Sequence, residues 1–159
     1  MERVISIFLL LFLGILHQSI GQTYVYKGNF KSPNNIVLNV LDGELREKNH
    51  SYGHSVLLTI RDHQIFRNRS ISLLDVLFTF RDGYLYLGYS DNPMDIAYNF
   101  DGEKIYYRDG QFALDIAYNI YLDGVYLGPT NFVSDVLYTI DGDYSETELF
   151  AILLALKML

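Results

Sequence analysis

Asp95–Gly102 reads DIAYNFDG, and this pattern recurs six times along the chain at a spacing of 20 residues. Each copy opens with a polar residue and continues with Ile or Val. A large apolar or aromatic residue follows at the fourth position, Asn or Thr at the fifth, and a turn dipeptide ends the copy. The opening residues are Asn35, Ser55, Asp75, Asp95, Asp115 and Asp135. A fixed period indicates that one supersecondary unit is stacked or rotated, which sets the architecture but not the chemistry.

The repeated pattern alternates in the way that a β-strand does. Ile96, Tyr98 and Phe100 fall on one face of it, and Ala97 and Asn99 fall on the other. A period of two, built from β-branched and aromatic residues, predicts a strand. A tight turn should follow, because glycine tolerates positive φ and aspartate braces its own backbone. The expected turns lie at Asp42-Gly43, Asp82-Gly83, Asp101-Gly102 and Asp123-Gly124.

The second copy departs from this rule, because Asp62-His63 replaces Asp-Gly there. We therefore expect its turn to be looser or one residue longer. A return strand follows each turn, with an aliphatic residue ten positions before the next opening residue. These aliphatic residues are Val25, Leu45, Ile65, Leu85, Ile105 and Val125.

The count of strands predicts a closed ring. Residues 22–144 give twelve strands of about five residues each, as five hairpins and two half-hairpins at the ends. The half-hairpins, Tyr24–Lys27 and Asp135–Ile140, have no other partner, and pairing them removes the two open edges that would invite aggregation. The predicted fold class is all-β: a closed, pseudo-symmetric ring of β-hairpins.

The C-terminal segment 145–159 breaks the repeat and reads as a helix. Ser145 and Glu148 form a capping box, and Leu149–Leu159 is apolar apart from Lys157. A helix that is apolar on nearly all sides is buried, so we expect it to pack on one end of the ring or to enter its middle. The alternative is a helix that awaits a partner or a membrane surface.

The N-terminus, residues 1–21, reads as a secretory signal peptide. Arg3 precedes an apolar run from Val4 to Leu16, and the small residue Gly21 marks the expected cleavage site. The chain is therefore predicted to be exported, to the periplasm or the extracellular space. An uncleaved membrane anchor is the alternative, but the run is short for a span. We expect no transmembrane segment in the mature chain.

Composition narrows the classes of partner and chemistry. The net charge of −7 disfavours nucleic acid, because an acidic surface repels phosphates. The chain has no cysteine, which removes disulfides, thiolate metal sites and cysteine nucleophiles. His50 and His54 are four residues apart but flank Gly53 in a loop. We predict no cofactor and no metal site.

Four parts of the chain resemble a known family: Lys27-Gly28, DVLFTFRDG at 75–83, DVLYTIDG at 135–142 and LFAI at 149–152. They are similar to the repeats and the ending of five-fold β-flower proteins, which are small exported bacterial proteins. The similarity extends from about Tyr24 to the end of the chain. It implies a pseudo-symmetric ring of hairpins in an exported protein without an assigned activity. By register this chain has six units, or five hairpins plus one split pair.

Two series of polar residues are candidates for more than a structural role. The opening aspartates, such as Asp75 and Asp95, are expected to accept backbone N–H bonds from the preceding loop, or else to form an acidic ring at one rim. The Asn/Thr series includes Asn99, Asn119 and Thr139 and is assigned to the strand face that carries Val37, Leu57, Leu77, Ala97, Ala117 and Leu137. These amides and hydroxyls either line a central channel and bind a sugar, or bond to neighbouring backbone between hairpins.

The predicted function is that of an exported, non-catalytic structural or binding module. One alternative is a glycan-binding module that uses exposed tyrosines such as Tyr107 or Tyr121 in a rim groove. Another is a hydrolase with a pair of carboxylates on the repeat loops, since such pairs leave no local signature. A rim groove with aromatics would favour the former, and a cleft with two carboxylates about 5–10 Å apart would favour the latter.

Overall fold

The computed structural model describes residues 21–48 and 56–158. Almost all of the predicted signal peptide, together with Ser55, His50 and His54, lies outside these ranges, and so does Leu159. The described residues contain twelve strands and one α-helix. Their bounds are β1 Thr23–Lys27, β2 Ile36–Leu41, β3 Glu44–Glu47, β4 Val56–Arg61, β5 Gln64–Arg67, β6 Val76–Arg81, β7 Tyr84–Leu87, β8 Ile96–Phe100, β9 Lys104–Tyr107, β10 Ile116–Tyr121, β11 Gly124–Leu127, β12 Val136–Asp141 and α1 Glu146–Ala155.

The strands form a closed antiparallel barrel in which each strand pairs with its neighbours in sequence. Closure occurs between β1 and β12, where Val25 lies opposite Ile140 and Lys27 lies opposite Tyr138. The predicted ring of hairpins is therefore confirmed, with the two half-hairpins as its sixth pair. Antiparallel order places all hairpin turns at one end of the barrel, which we call the turn end, and the longer connections at the other.

A β-bulge at the same place in every unit corrects the predicted alternation. In β8, Ile96 lies opposite Tyr86 and Tyr98 lies opposite Leu85, so Ala97 is an extra residue. Ile96 and Asn99 consequently share the outer face rather than lying on opposite faces. The residues equivalent to Ala97 pack against the interior and do not share a face with the Asn/Thr series. Those described in the core are Val37, Leu57, Leu77 and Ala117.

Each return strand ends at a residue in the left-handed region. The φ angle there is +63° at Gly88 and +55° at Arg108, and the backbone N–H donates to the carbonyl of the bulge residue, Leu77 or Ala97, at 2.8 Å. The same positive φ and the same hydrogen bond to the bulge residue recur at Gly28, Lys48, Asn68 and Gly128. This arrangement turns the chain out of the barrel wall and starts the connection to the next unit.

These connections fold outward over the barrel, and we call them petals. The described petals are residues 28–35, 68–75, 88–95, 108–115 and 128–135, and each ends in a short 3-10 turn. Arg81 on β6 bonds to Asp91 of the petal that follows its hairpin, at 3.3 Å. Outer-face residues such as Tyr26 and Tyr126, 8% and 5% exposed, are buried as well. The barrel is thus packed on both faces.

Helix α1 fills the barrel interior. The predicted capping box is present, since Ser145 Oγ accepts the Glu148 N–H at 3.2 Å and a Glu148 carboxylate oxygen accepts the Ser145 N–H at 2.7 Å. Phe150 is fully buried, with its ring 5.4 Å from that of Phe80 and 6.3 Å from that of Phe100. At its far end the helix meets the wall again, because the Tyr118 hydroxyl donates to the Met158 carbonyl. Of the two expected placements, the helix takes the one inside the ring.

The helix is off-centre in the barrel. It lies closest to β4 and β5, where the inward residue is Leu58, whereas the equivalent positions farther around the ring are Tyr98, Tyr118 and Tyr138. Larger side chains thus fill the wider gap on the far side of the helix. No helix among the described residues is long and apolar enough to cross a membrane.

The turns correct three further expectations. The fourth hairpin has no two-residue turn at Asp101-Gly102, because Phe100 pairs with Ile105 and leaves residues 101–104 between the paired positions. Asp62 and His63 form a two-residue turn with φ of +48° and +63°, and Arg61 pairs directly with Gln64, so this turn is neither looser nor longer than the others. Histidine adopts positive φ more readily than most residues. The fifth hairpin turns one residue earlier than predicted, and Gly124 already belongs to β11. A Cβ at position 124 would lie 2.7 Å from the Tyr126 ring, so close packing, and not the turn, accounts for Gly124.

Candidate functional site

The opening aspartates hold the petals in shape. The carboxylate of Asp75 accepts the Ser70 hydroxyl at 2.6 Å, and Asp95 accepts Ser90 in the same way. The carboxylate of Asp115 accepts the backbone N–H of Phe112 at 3.1 Å, as expected. A petal serine thus takes the place of the backbone donor in two units, and these carboxylates are engaged within their own petals.

The Asn/Thr series bonds to the backbone between strand and petal. The Asn99 amide donates to the carbonyls of Arg108 and Gly110 at 3.0 and 2.8 Å. Asn119 donates to Thr130 at 3.0 Å, and Thr139 donates to Gly28 at 2.7 Å. These bonds match the second of the two alternatives, in which the series bonds to neighbouring backbone. The series does not line a central channel, because α1 occupies the central space.

The two tyrosine candidates lie in different surroundings. Tyr107 is 52% exposed, and its ring lies 5.6 Å from that of Tyr98. Tyr121 is 48% exposed and lines a cleft beside α1. Only Tyr121 therefore belongs to a concave surface of the kind that a ligand site requires.

The turn end carries a large concave surface. We call it the major cleft; it has a volume of about 640 Å³. It lies between two hairpins and the first turn of α1. Its lining residues are Asp62, His63, Gln64, Thr79, Phe80, Arg81, Asp82, Gly83, Tyr89, Ser145, Glu146 and Thr147. Because the lining comes from two units, one petal and the helix, residues up to 85 positions apart in sequence, such as Asp62 and Thr147, meet there.

Two more clefts flank the major cleft on the turn end. The side cleft, about 300 Å³, is lined by Asp82, Gly83, Tyr84, Asn99, Phe100, Asp101, Tyr106, Gly110 and Gln111. The far cleft, about 500 Å³, is lined by Phe100, Gly102, Glu103, Ile120, Tyr121, Leu122, Tyr144, Glu146 and Leu149. Each of the three clefts therefore combines at least one tyrosine with at least one carboxylate.

Several polar side chains of the major cleft have unused hydrogen-bonding capacity. Within the described residues, no side-chain hydrogen bond or ion pair involves Asp62, His63, Gln64 or Asp82. Tyr89 is 63% exposed, so its ring is open to solvent. The arrangement offers carboxylate acceptors, an amide, an imidazole and an aromatic face to one ligand. Within the same residues, no group of three or more His, Cys, Asp or Glu side chains is placed to hold a metal ion.

Asp101 in the side cleft has a fixed charge. Burial by itself raises the pKa of its carboxyl, but hydrogen bonds from Glu103 N–H, Lys104 N–H and the Tyr106 hydroxyl outweigh burial and lower the pKa below the ordinary value. These bonds are 2.9, 2.7 and 2.9 Å long. Burial, and then the neighbouring Asp101, raise the pKa of Tyr106. The pair therefore presents a carboxylate and a neutral phenol at neutral pH.

Sequence reasoning found Tyr121 but missed the major cleft. Gln64, Arg81 and Tyr89 occupy repeat positions whose residues vary from unit to unit, so nothing in the local pattern marks them. The one available signal was the departure at Asp62-His63, which lies in the cleft wall. In the sequence alone that departure indicates only a different turn.

One comparison with known proteins gives a match. A family described as "6-fold beta flower protein" matches residues 14–96. No curated protein and no solved structure matches the chain. The family description agrees with the six hairpin pairs of the barrel and corrects the five-fold count that the resemblance suggested.

Proposed function

The chain belongs to the 6-fold beta flower protein family, and from that premise we propose that it is an exported, non-catalytic module that binds glycans through the clefts of its turn end. The observation that carries the proposal is the major cleft. There an exposed tyrosine ring, Tyr89, faces the same space as Asp62, Gln64 and Asp82, whose side chains make no bonds within the described residues.

Sugar recognition calls for this combination of groups. A pyranose ring has an apolar face of C–H groups, which packs on an aromatic ring, and an edge of hydroxyls, which donate to planar acceptors. Carboxylates and amides at a cleft wall accept such hydroxyls with strong bonds. A volume of about 640 Å³ lies within the range of small-molecule sites.

The rigidity of the support also favours a binding role. The cleft walls are hairpins of a closed barrel packed on both faces, and the floor is the capped first turn of α1. A site that is already formed loses little conformational entropy when it binds, which favours affinity.

Export is supported by the sequence of the N-terminal segment. Arg3 and the apolar run after it have the layout of a cleaved signal peptide. Expression of the full chain in a secreting host, followed by mass spectrometry of the released protein, should give a mature N-terminus at Gln22. Retention of the intact N-terminus in the membrane fraction would contradict export.

The binding role is tested by a glycan-array screen of residues 22–159, which include every strand of the barrel. We expect binding that is lost in Tyr89→Ala and Asp82→Ala and kept in the matched control Tyr107→Ala, whose side chain is similarly exposed but lies outside the clefts. No signal from any glycan would overturn the proposal. Release of reducing ends from a bound glycan would replace it with the hydrolase alternative.

A further inference from the structure

The three turn-end clefts adjoin one another. The major and side clefts share Asp82 and Gly83. The side and far clefts share Phe100, and the far and major clefts share Glu146. We call this row of adjoining clefts the turn-end groove; the major and far clefts in it also contact the first turn of α1.

The clefts follow the order of the hairpins: the major cleft lies between β4–β5 and β6–β7, the side cleft between β6–β7 and β8–β9, and the far cleft between β8–β9 and β10–β11. Neighbouring hairpins are two strands apart, which places equivalent positions about 10 Å from one another. The side cleft contains Tyr84 of hairpin β6–β7 and the far cleft contains Tyr121 of hairpin β10–β11, which are two hairpins apart and not at equivalent repeat positions. Each lies with carboxylates, Asp101 in the first case and Glu103 in the second.

We propose that the turn-end groove binds a linear, neutral oligosaccharide across several sugar units, with successive segments of the chain in successive clefts. This inference rests on the proposed function and extends it to a ligand class. A ligand of one or two sugars would use one cleft, whereas three connected clefts of similar composition suit a polymer whose own chemistry repeats. A hairpin spacing of about 10 Å is close to the length of a disaccharide in an extended chain.

The charge of the groove selects among polysaccharides. Asp62, Asp82, Asp101, Glu103 and Glu146 line it, and its lining residues include one arginine, Arg81, one histidine, His63, and no lysine. Arg81 is already bonded to Asp91 at 3.3 Å. Sulfated or uronic acid polymers would place like charges together, which opposes binding. Neutral polymers meet no such repulsion.

The test is a length series measured by isothermal titration calorimetry. The probes are β-1,4-linked glucose oligosaccharides and β-1,4-linked N-acetylglucosamine oligosaccharides, each of one to six units. In at least one series we expect affinity to rise by about tenfold or more from two units to six, as further clefts are filled. Equal affinity for two and six units would overturn the multi-cleft inference and leave single-cleft glycan binding in place.

Variants assign the gain in affinity to the groove. Tyr84→Ala and Tyr121→Ala should each weaken binding of the six-unit probe by about tenfold and leave two-unit binding in the major cleft unchanged. Tyr107→Ala should change neither, and unchanged thermal unfolding would show that each variant is folded. An equal loss for short and long probes would overturn the inference. No binding of any length in either series would overturn the proposed function as well.

Discussion

The left-handed residue that ends each return strand shows how one backbone demand is met by different side chains. Gly88 meets it without strain, and nothing lies within 4 Å of the position that a Cβ would take. Arg108 meets it at φ of +55° with an exposed side chain. A non-glycine residue in this region costs about 1 kcal/mol, so Arg108 carries strain that Gly88 avoids.

Exchanging residues at these two positions should change stability in opposite directions. Gly88→Ala should lower the free energy of unfolding by about 1 kcal/mol, and Arg108→Gly should raise it by up to about 1 kcal/mol, reduced by the entropy of glycine in the unfolded chain. Urea denaturation measures both. The control, Arg108→Ala, keeps the strain and should be neutral. A destabilised Arg108→Gly would contradict the strain argument.

Asn39 differs from its counterparts by one buried atom. Its amide nitrogen donates to the Lys48 carbonyl, but its buried carbonyl oxygen Oδ1 has no hydrogen-bond partner among residues 21–48 and 56–158. Threonine at the equivalent position, Thr59, makes the same bond to Asn68 at 2.7 Å with no second polar group to satisfy. Asn39→Thr should therefore raise the free energy of unfolding by about 1 kcal/mol. The reverse change, Thr59→Asn, should lower it; equal effects of the same sign would refute this explanation.

Asp101 should make stability depend on pH in a defined direction. Its pKa in the folded chain lies below its ordinary value of 3.8, so its contribution is fully present above the ordinary pKa and is lost as the pH falls through the folded pKa. Asp101→Asn should be less stable than the parent at neutral pH, by about 1 kcal/mol or less because the group is exposed. In urea melts the difference should shrink as the pH falls below the ordinary pKa of 3.8. A difference that grows in acid would contradict this assignment.

At the scale of the element, period and turn chemistry predicted the strands, because each strand carries its pattern within a few residues. The bulge at Ala97 was not predictable, since an extra residue shifts the face of Ile96 without changing the alternation before or after it. Gly124 was misassigned for a similar reason: a glycine required by the Tyr126 ring looks the same in sequence as a glycine required by a turn.

Some features of α1 are determined by local sequence, and others depend on the closed barrel. Its capping box and its apolar character are local, so both its start and its burial followed from sequence. Its off-centre position depends on Leu58 on one side and Tyr98, Tyr118 and Tyr138 on the other, which only the closed barrel brings together. The clefts escaped prediction for the same reason, because Glu146 meets Asp62 only after the helix has entered the ring.

Phe150 should be the most sensitive position in α1. It is fully buried and packs between Phe80 and Phe100. Phe150→Ala should lower the free energy of unfolding by about 3–5 kcal/mol, because the cavity that it leaves lies among rigid neighbours. The control is Leu114→Ala in a petal, where the side chain is 97% exposed and the change should stay within about 0.5 kcal/mol. Similar losses in chemical denaturation of both variants would show that α1 is not the centre of the core.

At the scale of the whole molecule, stability depends on closure between the two ends of the repeat. β1 and β12 are more than 100 residues apart in sequence, yet each would expose an unpaired edge without the other. The family match covers residues 14–96, so closure of the ring joins β1, inside the matched segment, to β12, which lies beyond it. The contact between β1 and β12 is therefore the decisive test of the architecture.

A disulfide tests that contact directly, because the chain has no cysteine of its own. Tyr24 and Asp141 lie directly opposite each other, at a Cα separation of about 4.5–5.5 Å for such pairs, which a disulfide can bridge. Tyr24→Cys/Asp141→Cys should form an intramolecular disulfide, seen by non-reducing mass spectrometry, and should raise the free energy of unfolding by about 4 kcal/mol because it closes a long loop.

The matched control is Tyr24→Cys/Asp101→Cys, which places the second cysteine just after β8, on a hairpin that is not a neighbour of β1. That pair should stay reduced as a monomer under the same oxidation. If the first pair also stays reduced, or crosslinks only between molecules, the two ends do not meet. The barrel would then be an open sheet, and the groove around its turn end would lose the circular support on which both binding proposals depend.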